Sequence, residues 1–185
     1  MKSFVVGVLL ATATSAAHLD ARAISALQSV VGTNARVECR LNRPEALGHV
    51  DRARRVISVR PWICRRVNNA LLDEPAPSSP SSYRTAFALL VLTHEAVHLS
   101  GYEGRFDEAL TECRALQLVR DVALALGTGD EAARAYAHEA LTYDARLPDY
   151  GDYQVGLGLV PNYHATGCYD GGALDIHPDS SDWPN

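Results

Sequence analysis

Excess positive charge is the first thing missing from this chain. Its 17 lysines and arginines stand against 22 aspartates and glutamates, a formal net charge of −5. That removes the electrostatic case for a nucleic-acid binder, which needs a basic face. No two cysteines form a CxxC pair, and no internal repeat is visible. Methionine occurs only at position 1 and lysine only at position 2. Beyond the N-terminus no stretch is long and apolar enough to span a membrane. What remains is a chain of 185 residues, 47% hydrophobic, which suffices for one globular domain and excludes intrinsic disorder of the whole.

Charge is unevenly spread. From Arg36 to Arg66, nine arginines stand against Glu38, Glu45 and Asp51; from Leu141 onward, Arg146 stands against seven aspartates. Such segments read either as solvated or mutually neutralising faces, or as a basic strip that steers an acidic substrate.

The N-terminus has the order of a secretory signal peptide. Lys2 precedes the apolar run Phe4–Leu10, and small residues end at Ala17, with Ser15 and Ala17 suited to the cleavage positions. Residues 1–17 are therefore expected to be a signal, with a single domain over 18–185 in a secreted or extracytoplasmic protein. An uncleaved anchor, which would bring membrane contact, and a first helix of the domain are the alternatives. Four cysteines in an exported chain suggest two disulfides. Locality favours Cys39–Cys64 within one local unit and Cys113–Cys168 tying the tail to a helix; a cysteine zinc site fits the spacings poorly.

Periodicity predicts helices over 18–31, 62–72, 83–99, 107–126 and 130–147, with short β-type runs at 36–41 and 56–60. Residues 73–82 read as a loop, and an irregular tail begins at about 149. The expected class is α+β, a small antiparallel sheet packed on a mainly helical core.

The helix over 83–99 is apolar on most sides yet contains His94-Glu95-Ala96-Val97-His98. Residues four apart share a helix face, so both imidazoles can converge on one ion while Glu95 reaches a water beside it. Zn²⁺ suits neutral nitrogen donors and lowers the pKa of bound water. Burying two histidines and a glutamate in such a helix costs several kcal/mol unless they are paired or bind metal. Without a metal, they would be core histidines bonded to neighbours.

The third ligand selects the type of site. The metzincin pattern requires a third histidine where Gly104 stands, and a methionine turn that this chain lacks. The segment Asp107-Glu108-Ala109-Leu110-Thr111-Glu112, following the HExxH helix, resembles instead the glutamate-bearing second helix of gluzincins such as the thermolysin-like peptidases. The resemblance covers roughly Thr93 to Ala115. It implies a minimal zincin-like fold with His94, His98 and Glu108 as zinc ligands, Glu95 as general base and Glu112 as the acid that orients a ligand histidine. Only nine residues separate His98 from Glu108, so a tight loop must join the two helices and either glutamate could reach the metal. A peptidase also needs a donor for the oxyanion. Tyr150, Tyr153, Tyr163, His164 and His177 lie in the tail, and His164 is the candidate catalytic residue among them. His138-Glu139 reads as surface, and Trp62 and Trp183 as core or rim.

The resemblance implies a zinc-dependent metallopeptidase acting on a peptide or protein substrate. The alternatives are a non-catalytic zinc-binding module and a disulfide-stabilised interaction domain.

Overall fold

The computed structural model describes residues 18–43, 46–71, 80–144 and 165–180. The expected signal and the residues Tyr150, Tyr153, Tyr163, His164 and Trp183 lie outside them.

Helix α1 (Ala21–Val31) starts at Asp20, whose side chain accepts the Arg22 amide, an N-cap that satisfies an otherwise unpaired donor. It stops at Gly32, which takes the left-handed conformation (φ 71°) that glycine adopts without steric cost. Its apolar face, Ala23, Ala26, Leu27 and Val31, turns into the core.

Three short strands follow: β1 (Arg36–Glu38), β2 (Gly48–Asp51) and β3 (Val56–Val59). Their order is β1-β3-β2, with Arg36 opposite Val56 in a parallel pair and Gly48 opposite Val59 in an antiparallel one. The sheet is therefore mixed, which corrects the expected antiparallel pairing of 36–41 with 56–60. The reason is β2: this unforeseen strand is the hairpin partner of β3, so the chain reverses twice and β3 returns parallel to β1. Glycine at 48 and polar residues at 49 and 51 hid it, since only Val50 favours a strand.

Helix α2 (Pro61–Ala70) begins with proline in the first turn, where its missing N–H costs nothing. The Cys39–Cys64 disulfide ties this helix to the sheet. The long helices α3 (Pro80–Val97), α4 (Glu108–Ala125) and α5 (Asp130–Asp144) pack on one another, and α3 also packs on α2 and the sheet. The fold is α+β. At its centre α3 buries Ala86, Ala88, Leu89, Leu90, Leu92, Ala96 and Val97. At roughly 1.5–3 kcal/mol for each buried large aliphatic side chain, this helix anchors the core. No helix among the described residues is long and apolar enough to cross a membrane.

The tail segment 165–180 has only turns, and two devices hold it on α4. One is the Cys113–Cys168 disulfide. The other is buried Gln117, whose Nε2 donates to the Leu174 carbonyl (2.9 Å) while its Oε1 accepts the Ile176 amide (2.7 Å). Both disulfides join the cysteines that locality paired.

Candidate metal centre

Helices α3 and α4 form an antiparallel hairpin around the loop 98–107. Asp107 caps α4, accepting the Leu110 amide at 2.9 Å, and this sets where the first acidic turn begins. The hairpin register brings Glu112 to the level of His94 and Glu108 between the two histidines. His94 (7% exposed), His98 (6%) and Glu112 (6%) are thus buried polar groups in an apolar interface, and each must find a partner.

The partners divide into two shells. The Nδ1–H of His94 donates to Glu112 Oε2 at 2.6 Å. The Nδ1–H of His98 donates to the backbone carbonyl of Arg105 at 2.5 Å. A carbonyl can only accept, so His98 holds a proton on Nδ1 and turns Nε2 towards His94 and Glu108. Both Nε2 atoms and Glu108 Oε2 then face one another: 3.1 Å between the two nitrogens, 3.0 Å from His94 to Glu108 and 3.3 Å from His98 to Glu108.

This donor set fits a metal ion. Among the described residues, His94, His98 and Glu108 form a group whose ligand atoms all lie within 4.8 Å of one another. A tetrahedral ion with bonds of about 2.1 Å requires donors about 3.4 Å apart, so these three atoms need to spread by only a few tenths of an ångström. Each histidine has an acceptor behind its Nδ1, the arrangement that orients an imidazole ligand. Glu112 stands behind His94 and outside the ligand group.

Without an ion the cluster is held by charge. Burial works against a proton on His94, but hydrogen bonds to Glu108 and Glu112 outweigh it and raise its pKa to about 10. The hydrogen bonds from His94 and His98 hold the Glu108 carboxyl well below the ordinary carboxylate range.

Glu95 stands apart. It is partly buried, and among the described residues its carboxylate makes no hydrogen bond or ion pair. Burial pushes its pKa up, while the neighbouring imidazoles of His94 and His98 pull it back. Strand β2 crosses directly over it: a Cβ built on Gly48 would fall within the Glu95 side chain, so only glycine permits the approach.

Of the other expected site residues, His164 lies outside the described residues. His177 sits 3.5 Å from Asp121, over two turns along α4 from Glu112, and not with the cluster. His138 is exposed, and Trp62 stacks on Phe87. Two participants escaped sequence reasoning. The Arg105 carbonyl is backbone and leaves no residue signal. Gly48 became legible only once β2 was known.

No protein-family model matches this chain, and neither a curated protein nor a solved structure matches it.

Proposed function

We propose that the chain is a zinc-dependent metallopeptidase of minimal gluzincin type, acting outside the cytoplasm on peptide or protein substrates. The observation that carries this reading is Glu95. Every other polar group of the cluster is tied to a neighbour, whereas this carboxylate stands half-buried beside the ligand group and, among the described residues, makes no hydrogen bond or ion pair. A metal that only braced the fold would have no use for it.

In this reading His94, His98 and Glu108 hold the zinc. When bound, the metal supplies Lewis acidity, which acidifies water and polarises a carbonyl oxygen. Glu112 and the Arg105 carbonyl orient the two imidazoles. Glu95 takes the proton of the attacking water as the water oxygen bonds to the peptide carbonyl carbon. The C–N bond then breaks, and Glu95 returns the proton to the leaving amine. The two disulfides suit an oxidising compartment.

The test is zinc content by elemental analysis beside peptide cleavage, on wild type, His98→Ala and Glu95→Gln. One zinc per wild-type chain, lost in His98→Ala, with cleavage abolished but zinc retained in Glu95→Gln, is the expected result. Zinc without cleavage by any preparation leaves a non-catalytic zinc module, and absence of zinc after reconstitution leaves a self-paired histidine–glutamate core.

A further inference from the structure

Beside the cluster lies a feature that neither the metal nor the acid–base chemistry uses. Phe106 is a large aromatic side chain left 59% exposed. Two guanidinium groups stack on it: the Cζ of Arg52 lies 4.5 Å from the ring centroid and that of Arg105 4.3 Å from it. Cation–π attraction accounts for each contact, yet it also gathers two like charges on one ring, which repel one another.

The nearby acids do not neutralise that pair. Asp51 accepts from the Arg54 amide and faces the Arg54 guanidinium at 3.6 Å, and Asp107 caps α4. Glu103, exposed in the same loop, makes no ion pair among the described residues. Arg105 uses one NH to bond the Tyr102 carbonyl at 2.7 Å. The exposed Arg52 guanidinium has no hydrogen bond or ion pair at all among the described residues. Stacking covers the guanidinium faces, but the N–H edges of Arg52 remain available to an oxyanion.

The platform is joined to the reaction site by the backbone at two points. Phe106 stands two residues before Glu108, and the carbonyl of Arg105 holds His98. Arg52 opens the turn after β2, the strand whose Gly48 crosses Glu95. A substrate chain lying past Glu95 along β2 would reach Arg52 within a few residues.

We infer that Arg52, Phe106 and Arg105 form a specificity subsite that binds an aspartate or glutamate side chain of the peptide substrate near the scissile bond. The inference rests on the peptidase reading for its position, but its binding chemistry is separate. The carboxylate bridges the N–H edges of Arg52 and Arg105, and its methylenes meet the exposed edge of the Phe106 ring.

The test uses full-length, zinc-loaded Glu95→Gln protein and fluorescently labelled peptides amidated at the C-terminus, with a Glu-containing set and the matched Gln set. Binding is read by anisotropy at low and high salt, and cleavage of the same peptides is followed with the wild type. A Glu set bound about tenfold more tightly, with the gap closing at high salt and on adding Arg52→Gln, is expected. A Gln peptide with a free C-terminus gaining the same preference would assign the patch to terminal rather than side-chain carboxylates and overturn the inference. Equal binding of Glu and Gln peptides, or no binding, also overturns it, even if the wild type cleaves both. A Glu preference without cleavage by the wild type upholds the subsite and sinks the peptidase reading. The comparison of Glu with Gln peptides needs no change at Arg52, so a poorly folding Arg52→Gln protein does not rescue the inference.

Discussion

The Nδ1–H of His94 donates to Oε2 of Glu112 across 2.6 Å, linking α3 to α4 inside the apolar interface of the hairpin. Both residues are buried, so water cannot substitute for either partner. Glu112 therefore sets which nitrogen of His94 faces Glu108 and His98, and the ligand group depends on a residue outside it. Replacing Glu112 with leucine is expected to weaken zinc binding roughly 10–100-fold. Glu112→Gln, whose amide oxygen can still accept the Nδ1 proton, is expected to lose less. Competition against a chelator measures both, and equal affinity in wild type and Glu112→Leu would show that the contact does not orient the ligand.

The metal-free chain is expected to lose stability on both sides of a narrow pH window. His94 has its pKa raised from 6.5 to about 10, so the stability it contributes is complete below 6.5 and is lost as pH rises towards 10. Glu108 is shifted the other way from 4.5, so its contribution is present above that value and is lost as pH falls below it. Urea unfolding of chelator-treated protein should therefore give a maximum between pH 4.5 and 6.5 from this cluster. A midpoint that does not fall between pH 6.5 and 9 would mean His94 is not held as an imidazolium. Zinc reverses the slope, because it competes with that proton for Nε2.

Glycine at position 48 yields a sharper test of Glu95. Any Cβ there collides with the Glu95 carboxylate, so Gly48→Ala must move the strand or the side chain. The ligand atoms lie elsewhere, and zinc content is expected to stay at the wild-type level. Peptide hydrolysis is expected to fall roughly hundredfold, the scale set by displacing a reacting group by an ångström. Loss of zinc together with activity would place Gly48 in the fold rather than in the chemistry.

What could be read in the sequence follows from where each constraint resides. The facing of His94 and His98 is a property of helical spacing, and the α-helix realises it directly. That Glu108 and Glu112 both come up against the HExxH helix was legible, because nine intervening residues leave a helical hairpin little freedom of register; which of them joins the ligand group was not. The disulfides Cys39–Cys64 and Cys113–Cys168 followed from locality. By contrast, β2 owes its existence to pairing with β3 and to close passage over Glu95, neither of which GHVD expresses locally. Missing it also reversed the expected sense of β1 against β3. The Arg105 carbonyl was invisible for a different reason: every residue carries one, and only the loop conformation aims this one at His98.

Gln117 makes a last prediction about the tail. Its amide pairs with the Leu174 carbonyl and the Ile176 amide, and Cys113–Cys168 closes a loop across the same contact. The disulfide contributes about 4 kcal/mol in the chain-entropy account, by shrinking the unfolded ensemble. Gln117→Leu fills the same space but leaves two half-buried backbone groups without their partner, each a cost towards the lower end of roughly 1–3 kcal/mol. The two losses act differently. Cys168→Ser is expected to lower the global unfolding midpoint, whereas Gln117→Leu frees segment 165–180 locally while the disulfide still tethers it. Limited proteolysis distinguishes them: Gln117→Leu should be cut within 165–180 before the helical core, with zinc content unchanged because His94 holds Glu112 from the opposite helix. If Gln117→Leu loses zinc as readily as it loses the tail, the clamp supports the metal centre itself, and α4 transmits the tail's state to Glu112.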